Sequence, residues 1–198
     1  ITVTDPNVVF AGAATVAVSD NGDFSWAPAG ASQVTQTDIS TALYTSTSNT
    51  RVLLRPGGSY TCSNSSNKSN LKNFVLASAT TTKAVITATA INVTVITAFS
   101  GGGNPANNGN NWRVHDIDFR GGGFSGVRGF NTGILPTATG DANINSYADG
   151  NITAHRIAGD GLFSTVWING LNCVTSQVSS INTAGAAGSG AMPIYQAG

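Results

Sequence analysis

The stretch NWRVHDIDF at residues 111–119 decides the fold, because three other segments of the chain share its spacing of apolar positions. These segments are AINVTVITA at 90–98, NITAHRIAG at 151–159 and NCVTSQVSS at 172–180. Their alignment gives three columns of inward positions: Ile91, Trp112, Ile152 and Cys173; Val93, Val114, Ala154 and Thr175; and Ile96, Ile117, Ile157 and Val178. The recurrence of one apolar pattern predicts a repeat protein.

The spacing of the repeat indicates a solenoid of short strands. The steps along the first column are 21, 40 and 21 residues. A period near 21 residues is too short for a helical pair or a propeller blade, and it fits one coil of about three strands. We interpret the 40-residue step as one coil with an inserted loop at residues 131–150. Two complete coils are the alternative.

Composition supports an all-β protein and argues against two kinds of partner. The 198 residues include no Glu and three Lys, whereas Thr, Ser, Asn, Gly and Val are abundant. Such a mixture suits strands joined by tight turns. The formal net charge is zero and the chain has no basic run, so nucleic acid is not an expected partner. No stretch reaches the ~18 apolar residues of a membrane span.

The chain is predicted to have a lead-in region followed by the solenoid. Residues 1–35 are expected to form strands and a turn-rich segment. A short helix is predicted within TDISTALYTST at 37–47, with Thr37 or Asp38 as its N-cap and an apolar face that includes Leu43. A helix there would cover the open core and strand edge of the first coil. Residues 36–198 are therefore expected to hold the capping helix and the first coils, with the solenoid truncated at its C-terminus.

Three further stretches carry a family likeness. VLLRPGGSYT at 52–61, FVLAS at 74–78 and NWRVHDIDFRG at 111–121 together resemble the opening coils of bacterial secreted pectate-lyase-like proteins. The lead-in is similar to the junction at which a PKD-type (immunoglobulin-like) module ends and the β-helix begins. The resemblance implies a right-handed parallel β-helix from a longer parent protein, secreted or at the cell surface, with a polysaccharide-associated role.

Proteins of this family include lyases, hydrolases, adhesins and phage spikes, so the fold alone does not choose a function. A calcium-assisted lyase would need an acidic cluster and a basic residue. The candidates are Asp116, Asp118, Asp160, Arg113, Arg120, Arg128 and Arg156. No two of these Asp residues share a column in adjacent coils, so calcium is expected only if the chain is a lyase, and no other cofactor is indicated. A glycoside hydrolase would need clustered carboxylates, and the nine acidic residues are scattered.

The two histidines are the candidate metal ligands. His115 and His155 fall in the same column, each just after an inward residue, so both are expected to point outward from neighbouring coils. Imidazoles placed in this way could share a metal ion or a proton. The alternative is a solvent-facing position with no function, and the sequence offers no clear third ligand.

A sugar-binding face is predicted beside the inserted loop. Trp167 follows the inward Val166, so it is expected to point outward and to stack on a sugar ring. The predicted substrate-binding residues are Trp167, Arg128, Arg120, Tyr147 and Asp118. Arginines suit the carboxylates of a uronic-acid polymer. The main hypothesis is a protein that binds or processes polysaccharide along its lateral face.

The alternative hypothesis is structural. An adhesin, fibre or spike-like rod would need no site, and its exposed end coils would associate with further copies of itself. Cys62 and Cys173 are expected to remain unbonded, because they belong to distant coils.

Overall fold

The computed structural model describes residues 13–65, 71–97, 110–131, 151–169, 174–182 and 194–197. This part of the chain contains three sheets and one helix, α1 (Ile39–Thr45). A seven-stranded sheet is built from β1 (Ala14–Ser19), β2 (Ser32–Thr35), β3 (Thr50–Leu54), β5 (Lys72–Ser78), β8 (Asn110–His115), β11 (Thr153–His155) and β14 (Val174–Ser176). A five-stranded sheet contains β4 (Ser59–Cys62), β6 (Ala84–Ala88), β9 (Ile117–Arg120), β12 (Ala158–Asp160) and β15 (Ser179–Ile181). A four-stranded sheet contains β7 (Thr94–Thr97), β10 (Arg128–Asn131), β13 (Ser164–Asn169) and β16 (Ile194–Ala197).

The strands of all three sheets pair in parallel, so the expected all-β class with parallel sheets is confirmed. The seven-stranded sheet has the order β14-β11-β8-β5-β3-β1-β2. From β6 onward the chain enters the five-stranded, four-stranded and seven-stranded sheets in that fixed succession. We call one such succession, with one strand in each of the three sheets, a repeat. Each strand therefore lies beside the strand of the previous repeat that belongs to the same sheet.

Alternation along the strands places a continuous apolar core on one face of each sheet. In β8, Trp112 and Val114 are fully buried, and the Trp112 ring lies 4.7 Å from the ring of Phe74 in β5. The Trp112 indole N–H donates to the backbone oxygen of Leu71 at 2.7 Å, so its polar atom is satisfied inside the core. Aromatic packing of this kind joins one repeat to the next.

The predicted alignment is correct for three of the four segments and wrong for the remaining one. Val114, Ala154 and Thr175 are backbone partners on β8, β11 and β14, as predicted. Ile91, in contrast, lies in a turn with 63% of its surface exposed. The next strand, β7, pairs with β10 in the four-stranded sheet, where Ile96 is partnered by Phe130. The segment AINVTVITA shares the apolar spacing of β8 but belongs to another sheet.

The 40-residue step is a single repeat. Val114 of β8 pairs directly with Ala154 of β11, with no strand between them. This pairing agrees with the interpretation of one coil that carries an insertion. Of the insertion itself, positions 132–150 lie outside the described residues, as does Cys173. Cys62 is described, and it is a free, buried cysteine.

The predicted helix is confirmed. Asp38 is its N-cap, and its carboxylate accepts a hydrogen bond from the backbone N–H of Ser40 at 2.9 Å. Ile39 and Leu43 are buried in the core. Thr37, just before the N-cap, also bonds to β4, the end strand of the five-stranded sheet, since its backbone oxygen accepts from the Thr61 N–H. In the described residues no helix is long and apolar enough to cross a membrane.

Asparagines mark the corner at which the chain enters the seven-stranded sheet. Asn49, Asn73, Asn111 and Asn151 all have left-handed backbones, with φ of 59°, 54°, 58° and 56°. The Asn73 side-chain amide donates to Asn49 Oδ1 at 2.7 Å, and that of Asn111 donates to Asn73 Oδ1 at 2.9 Å. We call this row the asparagine ladder. Asparagine suits it because it tolerates φ > 0 better than other residues with a side chain and carries both a donor and an acceptor.

Replacing Asn73 tests both properties of the ladder. Asn73→Gly should lose the two amide hydrogen bonds, at about 0.5–1.5 kcal/mol each. Asn73→Ala should lose the same bonds and add the strain of a left-handed Ala, about 1–2 kcal/mol. Urea unfolding followed by circular dichroism would measure both variants. An Ala variant as stable as the Gly variant would show that backbone strain is not the reason for asparagine.

Candidate functional site

The strongest cluster of polar side chains lies at the corner between the seven-stranded and five-stranded sheets. His115 and His155 are backbone partners on β8 and β11, and Ser176 of β14 is the next partner in the same row. All three positions alternate with inward residues, so they share the outer face of the sheet. Asp116 and Arg156 follow the two histidines at the corner, and both have left-handed backbones, with φ of 58° and 50°.

Hydrogen bonds join these five residues into one network, which we call the corner network. Asp116 is fully buried, and its carboxylate accepts two hydrogen bonds from Arg156, one from Nε at 2.6 Å and one from Nη2 at 2.7 Å. The second Asp116 oxygen also lies 2.8 Å from His115 Nδ1. Arg156 Nη1 contacts His155 Nε2, and His155 Nδ1 lies 2.6 Å from Ser176 Oγ. The network therefore ties three successive strands of the sheet together.

The donors and acceptors fix where the protons lie. Arginine can only donate, so His155 Nε2 accepts from Arg156 with its lone pair. The proton of the neutral His155 ring is then on Nδ1, which donates to Ser176 Oγ. On the other side an ionised Asp116 only accepts, so His115 carries its proton on Nδ1. His115 Nε2 is buried and has no hydrogen-bond partner among the described residues.

Burial and neighbouring charges together set the pKa values of Asp116 and His155. Burial by itself would raise the pKa of Asp116, but the hydrogen bonds and charges of Arg156 and His115 outweigh it and lower that pKa to about 2. Burial lowers the pKa of His155 below its usual value, and the charge of Arg156 lowers it further. The charge of Asp116 acts in the opposite direction on His155. The structure thus holds an ion pair, Asp116 with Arg156, next to a neutral imidazole.

This arrangement does not match a metal site. The two histidines lie side by side as predicted, but both ring nitrogens of His155 are occupied, by Arg156 and by Ser176. Within the described ranges, no group of three or more His, Cys or Asp side chains could hold a metal ion. The expectation that His115 and His155 could share a metal ion is therefore not met in this geometry. Arg156, which competes for that space, is the reason.

The same proton positions argue against a serine nucleophile. A base that activates Ser176 would have to accept the hydroxyl proton, whereas His155 Nδ1 donates to that hydroxyl. Within this network the ring nitrogen that has no hydrogen-bond partner among the described residues is His115 Nε2, which is buried. The chemistry that the cluster supports is the uptake and release of protons.

The predicted sugar-binding residues do not form one site. Trp167, expected to stand exposed on the outer face, has 2% of its surface exposed and lies outside the apolar core clusters that contain its neighbours Val166 and Ile168. The prediction of an open stacking platform is therefore wrong. Alternation predicted the side of the strand correctly, but it did not predict that the side chain is covered.

Arg128 is also engaged within the protein. Its guanidinium lies 4.8 Å from the centre of the Phe163 ring, and its Nη1 donates to the backbone oxygen of Gly126 at 3.4 Å. Burial lowers the pKa of this arginine. Arg128 and Trp167 belong to the four-stranded sheet, whereas the other two described candidates belong to the five-stranded sheet. Tyr147 lies outside the described residues.

Asp118 and Arg120 are brought together on β9. The Arg120 guanidinium donates to Asp118 Oδ2 through Nη2 at 2.9 Å and through Nε at 3.2 Å. Half of the Arg120 side chain is exposed, at 50%, against 21% for Asp118. These two residues remain candidates for contact with a ligand, and Asp160 of β12 is the backbone partner of Arg120.

Comparison of the chain with protein-family models, with curated proteins and with solved structures gave no match.

The buried ion pair of the corner network is open to a direct test. Asp116→Asn should lower the free energy of unfolding by about 3–5 kcal/mol, because it leaves a partly buried arginine without its counter-charge. The matched control is Asp118→Asn, which breaks a partly exposed pair and should cost about 0–1 kcal/mol. Urea unfolding at pH 7 measures both.

The pH dependence of the same variants has a defined sign. A carboxyl group with a lowered pKa stabilises the fold above its ordinary pKa, and that stabilisation is lost as the pH falls toward about 2. Wild type should therefore lose stability between about pH 4 and pH 2 more steeply than Asp116→Asn. Equal slopes in the two proteins would contradict the assignment.

Proposed function

We propose that this chain forms a right-handed parallel β-helix that serves as a rigid extracellular shaft, in the manner of an adhesin, fibre or spike-like protein. The helical winding is supported by the fixed succession of the three sheets, in which each strand pairs in parallel with the strand of the previous repeat. Parallel strands joined by crossovers are right-handed in about 98% of cases.

One observation carries the shaft function: polar side chains at the corners bond to the corresponding positions of the neighbouring repeats. The asparagine ladder links β3, β5 and β8 in this way. The corner network links β8, β11 and β14. Such contacts resist sliding and separation of the repeats, because either movement would leave buried donors and acceptors without their partners. Side chains that were predicted to contact sugar, such as Arg128, are instead part of internal packing.

A second candidate function is polysaccharide binding or processing on the outer face of the five-stranded sheet. Arg120 supports it, because half of its side chain is exposed and its guanidinium is bonded, among the described residues, to the carboxylate of Asp118. A uronic-acid polymer carries the same carboxylate group and could displace Asp118 from the arginine. If the chain were an enzyme of this class, it would be a lyase or a hydrolase acting on that polymer.

A binding screen separates the two functions. Wild type, Arg120→Gln and Lys83→Gln would be titrated with acidic and neutral polysaccharides, and the products assayed for chain cleavage. Lys83 is the control, since its replacement changes the net charge equally at a different site. The shaft function predicts no binding and no cleavage by any of the three proteins.

Binding of an acidic polymer that weakens about tenfold or more in Arg120→Gln but not in Lys83→Gln would favour the second function, since a hydrogen bond to a charged group contributes about 1.5–3 kcal/mol. Binding that is equal in all three proteins would contradict both the shaft and the role of Arg120.

A further inference from the structure

We propose that the corner network is an acid-released latch, in which one proton taken up by His155 uncouples the β11 corner from β8. The inference does not depend on the shaft function, because it concerns how two repeats are held together in any role. It rests on the hydrogen-bond geometry of the five residues.

His155 can take up a further proton at one ring nitrogen, Nε2. His155 already carries a proton on Nδ1, so a second proton has to bind at Nε2. That atom accepts the N–H of Arg156, and arginine does not deprotonate. Protonation would place two N–H donors and two positive charges against each other. The contact between His155 and Arg156 must therefore break when His155 becomes charged.

The contact between His155 and Arg156 helps to keep Arg156 bonded to Asp116. Arg156 reaches from the β11–β12 corner across to Asp116 at the β8–β9 corner, with both of its other donor atoms on that carboxylate. The backbone of the same corner is paired as well, because the Asp116 N–H donates to the His155 oxygen and the Arg156 N–H donates to the Ser176 oxygen. Displacement of Arg156 by a charged His155 would loosen these contacts together.

The groups around His155 do not offer a compensating partner. Arg156, at the β11–β12 corner, contacts His155 directly. On the neighbouring repeat, His155 faces His115 of β8 and Asp116 at the β8–β9 corner. Arg113 lies two positions away on the same face of β8, and its charge has the same sign. From β14 the facing side chain is the hydroxyl of Ser176. Asp116, the one described carboxylate in contact with the network, is already shared by Arg156 and His115.

The sign of the pH effect follows from linkage. Burial and the charge of Arg156 hold the pKa of His155 below the ordinary value of 6.5 when the latch is closed. The open state takes up the proton near that ordinary value. Opening is therefore favoured as the pH falls below 6.5, until it reaches the lowered pKa of the closed state. Above this window the latch stays closed.

Native-state hydrogen exchange on the whole chain tests the latch. The amides of Asp116 and Arg156 report on it, since both donate across the corner. After correction for the intrinsic rates, one additional proton in the open state should lower the protection of these amides by up to about tenfold per pH unit below pH 6.5. His155→Gln keeps an acceptor for Arg156 but takes up no proton, so its protection should not change over this range. His115→Gln, the matched control, leaves His155 and Arg156 in place, so it should retain a fall in protection below pH 6.5.

Two results would overturn the latch: protection in wild type that does not change between pH 7.5 and pH 5, or a pH dependence that persists in His155→Gln. If that variant fails to fold, nitrogen NMR of the wild-type histidines gives an independent answer. The latch requires His155 to be neutral at pH 7.5 with its proton on Nδ1, and to titrate below 6.5. A proton on Nε2 at that pH, or titration at or above the ordinary value, contradicts it.

Discussion

The structure depends on the parallel, in-register pairing of strands from successive repeats. Val114 lies beside Ala154, and Ala154 lies beside Thr175, so each position of a repeat meets the same position of the next. Like side chains are then brought into contact whatever their chemistry. Apolar residues stack into the core, asparagine bonds to asparagine, and histidine lies beside histidine. One constraint on the backbone produces the core, the asparagine ladder and the corner network.

Much of this arrangement could be predicted from the sequence, because the constraint appears there as a pattern. The apolar spacing around Trp112 and Ile152 placed both side chains in the core, where they are buried. The same alignment put His115 next to His155 and placed Asp116 at a corner, and both predictions are correct. The helix at Ile39 was predicted from its cap and its apolar face. These features are local, or they repeat along the chain.

The rest could not be predicted, because apolar spacing does not tell which of three sheets a strand joins. Ile91 and Ile96 fit the pattern of β8, yet β7 pairs in the four-stranded sheet. Alternation likewise assigns Trp167 to an outer face without showing that it is covered. The bond between Asp116 and Arg156 joins residues 40 positions apart and depends on the exact register. The asparagine ladder did have a sequence signal, an Asn within two residues of the start of each strand of the seven-stranded sheet from β3 onward, which an alignment based on apolar residues overlooks.

The asparagine ladder also separates the length of the chain from the geometry of the stack. Asn49, Asn73, Asn111 and Asn151 occupy equivalent corners, although 24, 38 and 40 residues separate them. A segment added between two corners changes the path of the chain between them but leaves the left-handed corner and the strand after it in place. The entropic free-energy cost of closing a loop rises only by about 0.6 kcal/mol for each doubling of its length. A protein built in this way can gain or lose surface segments, and whatever activity they carry, while its core keeps the same register.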